Sequence, residues 1–419
     1  MNFKNATKDL DLKSNDRLYL KLKSPFAPKH YKDLKPKGFK IYTFHSGFKK
    51  KNDDLLIIIF DQNVKVACKY SLTTMPSAPI IWDKKNNIGV CKTLIVNSGN
   101  ANAHTGKKGL KNIDRYTKQL AKYLKCSIKD ILVSSTGVIG EQLDPNLICK
   151  KIKLLPVSKD KKLIDAARSI WTTDTFVKTS VHNLKIGSKN VRIYGFGKGS
   201  GMISPNMGTM LAYIFIDCEI SSKLLKKLLS DNLQDTFNSI SVDSDTSTSD
   251  TVLLFSNPIK KINVNINYHK ISYTLNKVMK ELSMKIITDG EGIKKLIKVN
   301  VIKAKNKIQA KKIAFSIANS PLVKTAIAGE DANWGRIVMA IGKTQEKINQ
   351  EKSIIKFGNN VLAINGERNK SINLSKVNKY MKNQIIDIEV SLGLGTASSV
   401  VYGNDLNNEY VRINADYRS

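Results

Sequence analysis

The sequence predicts an α/β protein, a layered α/β sandwich with mixed sheets and two sub-domains. Short apolar runs typical of strands occur along the whole chain. Segments with apolar residues at helical spacing lie between them, without the strict alternation of a purely parallel sheet. The chain has 419 residues, enough for two domains or one large one, and its 41% apolar content is ordinary for a globular protein.

The N-terminal half contains strands and two helices behind a polar beginning. Residues 1–37 are rich in Lys, Asp and Asn and predict a loose extension, so that order begins near Gly38. A helix is predicted where apolar residues recur at helical spacing from Leu110 to Leu124, and another at residues 160–171. The predicted strands are Leu55–Phe60, Val64–Tyr70, Lys92–Val96 and a short one that starts at Ile131.

Two of these strands run into turns made of small polar residues. The first turn spans Asn97–Gly106 and the second Ser134–Gly140. Because both turns stand where a strand ends, we expect them to contribute to one shared site.

The centre of the chain, Gly195–Asp217, divides into two parts. Five glycines and Pro205 predict a loop up to Gly208. The apolar run Met210–Ile216 predicts a strand buried on both faces. Thr209 lies between them, a hydroxyl at the mouth of a buried strand.

The C-terminal half continues the mixture of helices and strands. Ser221 or Ser222 is expected to cap a helix, and Thr251–Phe255 is expected to form a strand. A further helix carries Val278, Leu282 and Ile286 toward Asp289–Gly292.

The net charge of +34 does not indicate a nucleic-acid-binding protein. Only eight of the 69 basic residues are Arg, the residue that base reading and phosphate forks favour. The lysines are scattered along the chain without interleaved aromatic residues, which is typical of a solvated surface. We therefore expect no nucleic-acid partner.

Cysteine and histidine usage predicts a reduced compartment and no metal site. The five cysteines form no Cys-x-x-Cys pair, and the five histidines show no His-x-x-x-His spacing. No apolar run approaches the roughly 18 residues that a membrane span needs, and no secretory signal core is present. The sequence thus predicts a cytoplasmic protein without a membrane partner.

Two apparent phosphate motifs do not fit their patterns. The glycines between Gly195 and Gly201 match neither nucleotide-binding spacing, and they precede a strand instead of a helix. Asp243–Ser247 is similar to the paired-aspartate motif of phosphoryl-transferring enzymes of the haloacid dehalogenase type, but the preceding residues are too polar for the buried strand that this motif needs. A turn stabilised by Asp and Ser side chains is the preferred interpretation.

Thr209 could act as a nucleophile if the chain were cut in front of it. A Thr hydroxyl is weak by itself, whereas a Thr at a chain N-terminus has its own α-amine as base. That amine has a pKa of about 7.7–8.0 before any perturbation, and nearby Lys198 could lower it further by repulsion. A Thr that merely starts a strand is the alternative.

Collinear motifs from about residue 40 to the end of the chain resemble the ornithine acetyltransferase family, also called glutamate N-acetyltransferase, of arginine biosynthesis. The motifs are Asn97–Ala103, Ser135–Gly140, Thr172–Thr175, Lys198–Met202, Pro205–Leu211, Asp289–Gly292, Leu322–Ala326, Asn333–Arg336 and Tyr410–Arg418.

The resemblance implies a self-processed enzyme without metal or nucleotide cofactor. The precursor would be cut between Gly208 and Thr209 into an alpha chain (38–208, behind the extension 1–37) and a beta chain (209–419). Two copies of each chain would form a heterotetramer. The implied reaction is ping-pong transfer of acetyl from N2-acetylornithine to glutamate through Thr209; whether acetyl-coenzyme A also donates stays open.

The same resemblance assigns roles to single residues. Thr136 and Gly137 match the oxyanion donors, and Thr209 matches the nucleophile and base. From charge alone, and not from the resemblance, Glu291 is suited to a substrate ammonium and Lys198 to a carboxylate. The substrate-contacting positions are Lys198, Thr209, Glu291, Asn414, Ser419 and Thr173, with Thr172 left open by spacing.

The chain departs from the family pattern at four positions. Gly208 replaces the usual Ala, which loosens the backbone before the nucleophile. His104 stands where Cys is common, and Ser244 and Ser249 stand where Gly and Asn are common. None of these changes removes a group that the chemistry needs. A hydrolase with the same kind of nucleophile, an aminopeptidase or amidase, is the alternative enzyme class.

Overall fold

The structure is a computed structural model and describes residues 23–204 and 210–415. Within these ranges the strands are β1 (Phe39–Phe44), β2 (Leu55–Tyr70), β3 (Val90–Asn100), β4 (Ile131–Val138), β5 (Lys178–Ile186), β6 (Lys189–Lys198), β7 (Leu211–Ile216), β8 (Thr251–Ser256), β9 (Leu296–Ala304), β10 (Ile354–Phe357), β11 (Asn360–Ile364), β12 (Glu367–Arg368), β13 (Ile385–Ser391) and β14 (Ala397–Asn404). The α-helices are α1 (Ala78–Asn86), α2 (Gly106–Leu124), α3 (Pro145–Ile152), α4 (Leu163–Ser169), α5 (Ser222–Leu233), α6 (Tyr268–Ile287), α7 (Lys307–Ala318), α8 (Pro321–Ala328), α9 (Trp334–Gly342), α10 (Leu374–Met381) and α11 (Asn408–Ala415).

The strands form two mixed sheets. The first has the order β4-β3-β2-β8-β7-β6-β5, with β1 paired to β2, and the second has the order β12-β11-β10-β13-β9-β14. The β3–β4, β7–β8 and β9–β13 pairs are parallel and the other pairs are antiparallel. The predicted α/β fold with mixed sheets and two sub-domains is confirmed.

Helices cover the two sheets through separate apolar clusters. On one face of the first sheet, β7 packs against α5 and α6. On the other face, β7 contributes Phe215 to a buried aromatic group in which its ring lies 5.1 Å from that of Phe255. The second sheet packs against α7, α8, α9 and α10. Every residue of β7 is buried, as predicted for the central strand. Burial of a large apolar side chain such as Phe215 contributes about 1.5–3 kcal/mol.

The glycines at 195 and 197 lie in a strand, so the loop predicted from Gly195 onward was wrong for its first part. β6 extends to Lys198 and pairs with β7 in antiparallel register. A Cβ atom at Gly195 would stand 2.6 Å from the Tyr213 carbonyl oxygen, and one at Gly197 would stand 2.9 Å from that of Leu211. These glycines therefore permit the close approach of the neighbouring strand β7. From glycine content alone, the same residues are interpreted as a loop.

Other elements differ from the prediction in extent. The two strands predicted between Leu55 and Tyr70 are one strand, whose pairing with β3 shifts register between Ile59 and Val64. The segment Thr73–Pro79 predicts a loop between two strands, but helix α1 begins inside it, at Ala78. Order also begins before Gly38: Phe26, Tyr31 and Leu34 pack against the clusters of the first sheet.

In the part of the chain that the structure describes, no helix combines the length and the apolar character that crossing a bilayer requires.

Candidate active site

A cavity of about 120 Å³ lies where the polar ends of the first sheet meet the segment after α6. Its described lining comes from seven separate parts of the chain, which carry mostly small, polar or charged side chains. These residues are Ala101, Thr136, Gly137, Ile139, Thr172, Thr173, Lys198, Gly201, Met202, Ser247, Thr248, Ser249, Glu291 and Asn414. The predicted positions 136, 137, 172, 173, 198, 291 and 414 thus line one cavity.

The two segments predicted as polar turns begin inside strands, because β3 continues to Asn100 and β4 to Val138. They lie side by side because β3 and β4 are parallel neighbours. Ser98 pairs with Thr136, and Gly99 pairs with Gly137. Gly137 has a φ of +131°, and a Cβ atom there would come within 2.3 Å of the Gly99 carbonyl carbon. Only glycine fits this close contact, which brings the Gly137 backbone to the cavity.

Lys198 ends β6 inside the protein, with 2% of its surface exposed. Its Nζ donates a hydrogen bond to Thr136 Oγ1 at 2.9 Å. A hydroxyl oxygen that accepts from an ammonium directs its own hydrogen elsewhere. The Thr136 hydroxyl can therefore donate to a further oxygen atom. Burial lowers the pKa of Lys198 below its ordinary value, and Asp174 is the largest opposing influence.

Glu291 is held by two hydrogen bonds, and its carboxylate lies close to Gly201. Its backbone N–H donates to Ser200 O at 3.0 Å, and its Oε2 accepts from Asn414 Nδ2 at 2.8 Å. A Cβ atom at Gly201 would stand 2.3 Å from Glu291 Oε2, so a larger residue there would displace this carboxylate. With Lys198 and Glu291, one cationic and one anionic side chain line the same cavity.

Thr172 and Thr173 both line the cavity, so the geometry leaves the choice between them open. Gly208, Thr209 and Ser419 lie outside the described residues. The next residue after Thr209 is Met210, whose N–H donates to Asp250 Oδ1 at 2.9 Å. Leu211 then pairs with Lys198 in the sheet.

Sequence reasoning missed charged residues behind the cavity. Asp174 and Asp289 lie inside two of the family motifs, but the sequence assigned no role to them or to Lys178. The signal available was the spacing of Asp174 and Lys178, an acid and a base four residues apart in an otherwise uncharged stretch. Asp243, quoted only as a turn residue, accepts hydrogen bonds from the N–H groups of Met202 and Ile203. Burial raises the pKa of Asp243 to about 6.

Across residues 23–204 and 210–415, no group of three or more His, Cys, Asp or Glu side chains is arranged to hold a metal ion.

Comparison with known proteins gives one consistent family. A family model described as the ArgJ family matches residues 40–419. The arginine biosynthesis bifunctional protein ArgJ of Bartonella henselae is 44% identical over 393 residues, which cover 91% of this chain and 95% of that protein. The protein of the same name from Agrobacterium fabrum is 42% identical over 408 residues, which cover 94% and 99%. A solved structure of the Bacillus halodurans protein of that name is 36% identical, with a TM-score of 0.47, and the match covers 50% of this chain and all of that chain.

Proposed function

The chain belongs to the ArgJ family, and on that premise we propose that it transfers the acetyl group of N2-acetylornithine to glutamate through an acetyl ester of Thr209. It is an acetyltransferase of arginine biosynthesis. The observation that carries the proposal is the cavity, which gathers two candidate oxyanion donors, a cation and a carboxylate beside the start of β7.

The first proposed step is self-cleavage. Thr209 Oγ attacks the Gly208 carbonyl carbon, the amide C–N bond breaks, and an ester remains between Gly208 and Thr209. Water then hydrolyses the ester and leaves a free Thr209 amine and a Gly208 carboxylate.

The order of the first sheet supports assembly of the two pieces after such a cut. Strands β7 and β8 follow the proposed cleavage point, and they lie between β2 and β6, which precede it. The β2–β8 and β6–β7 ladders would therefore join the alpha and beta chains by backbone hydrogen bonds. The heterotetramer of two alpha and two beta chains, and the location in the cytoplasm, stay predictions.

The second proposed step forms the acetyl-enzyme. Thr209 Oγ attacks the acetyl carbonyl carbon of acetylornithine while the Thr209 amine takes the hydroxyl proton. The Thr136 hydroxyl and the Gly137 N–H stabilise the oxyanion. The amide C–N bond breaks, the proton passes to the leaving nitrogen, and ornithine departs.

The third proposed step returns the acetyl group to glutamate. The glutamate α-amine attacks the ester carbonyl, the C–Oγ bond breaks, and Thr209 Oγ recovers a proton. Lys198 suits the carboxylate of an amino-acid substrate and Glu291 its ammonium. Asn414 holds the Glu291 carboxylate in place, and Ser419 and one Thr of the 172–173 pair complete the proposed contacts.

The relatives carry the word bifunctional in their names. The second activity that we propose is acetylation of glutamate by acetyl-coenzyme A, and the same assay with that donor tests it.

Two measurements test the proposal. Denaturing electrophoresis with N-terminal sequencing should give a fragment that begins at Thr209, and a Thr209→Ala variant should stay intact. Mass spectrometry with isotope-labelled glutamate should detect labelled N-acetylglutamate. Acetate and ornithine without labelled N-acetylglutamate would show a hydrolase instead.

The oxyanion role has its own test in Thr136. Thr136→Ala should lower kcat by about 10²–10³-fold, the usual effect of losing one oxyanion donor, and should change substrate affinity less. Thr136→Ser keeps the hydroxyl and is the matched control. Equal kinetics in both variants would refute the role.

A further inference from the structure

A cluster of three charged side chains lies directly behind the cavity. Asp174, Lys178 and Asp289 have no solvent-exposed side-chain surface. Lys178 Nζ lies 2.6 Å from Asp174 Oδ1 and 2.5 Å from Asp289 Oδ2. One ammonium thus pairs with two carboxylates. We call these three residues the buried cluster.

The buried cluster also holds backbone groups. Asp174 accepts from the Gly199 N–H at 2.8 Å and from the Thr172 N–H at 3.1 Å. Asp289 accepts from the Thr175 N–H at 2.9 Å, and its own carbonyl oxygen accepts from the Ser200 hydroxyl at 2.6 Å.

These bonds join the segments 172–178, 198–201 and 289–291. Each segment supplies cavity-lining side chains, namely Thr172 and Thr173, Lys198, and Glu291. A displacement of any member would therefore be transmitted to the cavity wall.

The charge of Lys198 depends on this arrangement. Its Nζ donates a hydrogen bond to a neutral hydroxyl, that of Thr136. The titratable groups that influence its pKa are Asp174, Lys178, Asp250 and Glu291, and Lys49 on the loop before β2 is coupled to it as well. Asp174 Oδ1 accepts from the N–H of Gly199, which places this carboxylate at the peptide that follows Lys198. Among the carboxylates it has the largest influence on the pKa of Lys198, and it acts to keep Lys198 protonated. The same coupling, seen from Asp174, opposes the effect of burial: burial raises its pKa, but Lys178 and Lys198 outweigh this and leave it below the ordinary value.

We propose that the buried cluster positions the cavity wall and that Asp174 is the counter-charge that keeps Lys198 a cation. The inference rests on the proposed function, in which Lys198 binds a substrate carboxylate. Buried ion pairs are weak evidence for stability, because desolvation offsets their attraction. Apolar residues could fill the same space, so stability alone does not explain three buried ionic groups. Positioning the cavity wall and keeping Lys198 charged does explain them.

The test compares variants of equal size and different charge. Asp174→Asn and Asp289→Asn each remove one negative charge from the buried cluster, but Asp174 has the larger influence on Lys198. Lys178→Gln removes a positive charge and keeps a donor. Asp217→Asn is the control, a buried carboxylate bound by Tyr194 and Asn257 beyond the opposite end of β7.

The first readout does not depend on activity. The rate at which cyanate carbamylates Lys198, followed by mass spectrometry across pH, reports the protonation of its amine. Asp174→Asn should lower the midpoint by about one pH unit, since the loss of a nearby opposite charge favours the neutral amine. Lys178→Gln should raise the midpoint, since a like charge is removed. If one of the two variants does not fold, the other still shows in which direction the carbamylation midpoint moves.

The second readout is the pH profile of kcat/KM for acetylornithine. In Asp174→Asn the basic limb should move to lower pH, with KM raised at least about tenfold above the new midpoint, as expected when a charge-assisted contact is lost. Asp289→Asn should lower activity without moving that limb as far, and Asp217→Asn should leave it in place.

Two results would overturn the inference. One is a carbamylation midpoint that is the same in the wild type, Asp174→Asn and Lys178→Gln. The other is a loss of activity in Asp174→Asn and Asp289→Asn that follows only the loss of thermal stability, with unchanged pH profiles. A wild-type protein that transfers no acetyl group would refute the proposed function instead, while the carbamylation result would still decide on Asp174.

Discussion

Two ion clusters join β5 to α6, and they differ in their contact with water. The buried cluster uses Lys178 at the first position of β5 and Asp289 just beyond α6. The second, which we call the outer cluster, consists of Ser180, His182, Glu281 and Lys285. There Glu281 Oε2 accepts from Ser180 Oγ at 2.7 Å and lies 2.9 Å from His182 Nε2, while Lys285 Nζ lies 3.0 Å from Glu281 Oε1.

Exposure decides what each cluster can do. The side chains of Glu281 and His182 are 28% exposed, whereas those of the buried cluster are fully enclosed. Water solvates the outer charges, so that their attraction is weak and any one partner can be lost cheaply. In the buried cluster each group needs its partner, because an unpaired buried charge is costly. Ion pairs thus join two elements in the outer cluster, whereas in the buried cluster they also fix the geometry of a cavity.

The largest expected effect is the loss of Lys178. Lys178→Met leaves Asp174 and Asp289 as unpaired buried carboxylates, and we expect it to lower the free energy of unfolding by about 3–5 kcal/mol. Denaturant titration followed by circular dichroism measures the change. Lys285→Met in the outer cluster is the matched control and should cost about 1 kcal/mol or less. Equal losses would show that the two clusters do not differ.

A smaller effect should appear on acidification. Hydrogen bonds from Ser180, Lys285 and His182 outweigh the effect of burial and lower the pKa of Glu281 from 4.5 to about 2. A group whose pKa is depressed on folding stabilises the protein above its unfolded pKa, and this is lost as pH falls through the folded value.

The corresponding contribution is lost between about pH 4.5 and pH 2. The difference in pKa corresponds to at most about 3 kcal/mol, which solvent screening reduces to about 1–2 kcal/mol. Thermal unfolding of the wild type and Glu281→Gln across this range measures it. A Glu281→Gln curve parallel to that of the wild type would contradict the assignment.

The smallest expected effect is that of salt. Raising NaCl from about 0.1 M to 1 M shortens the screening length from about 10 Å to 3 Å. The destabilisation caused by Glu281→Gln should then shrink by about 0.5 kcal/mol, while that caused by Asp289→Asn should stay the same because water and ions do not reach it. Urea unfolding at both salt concentrations tests this, and a salt-dependent Asp289→Asn effect would mean that the buried cluster opens to solvent.

The spacing of apolar and polar residues within a short segment was enough to predict several helices and strands. The apolar run at 210–216 gave a strand with every described residue buried, and helical spacing gave α2. Ser221 caps α5 as expected, since its side chain accepts from the Leu224 N–H. The glycines of β6 were misread because their use depends on how closely β7 approaches, which no local pattern contains.

In the candidate site, too, some features could be predicted from the sequence and others could not. The polar segments at the ends of β3 and β4 could be paired from the sequence because each ends a strand. The motif resemblance supplied Lys198 and Glu291. The roles of Thr209 and Ser419 stay predictions, and both residues lie outside the described part of the chain.

What the sequence by itself determined is the class of fold, the family motifs and the residue types that acetyl transfer needs, because these depend on composition and short-range spacing. Only the tertiary structure decided which charges are paired. Asp174 and Asp289 are 115 positions apart, yet one ammonium lies between them. A carboxylate on the surface and a carboxylate that sets the charge of Lys198 have the same letter in the sequence. Burial and the distance to the counter-charge distinguish them, and both arise only when distant segments pack together.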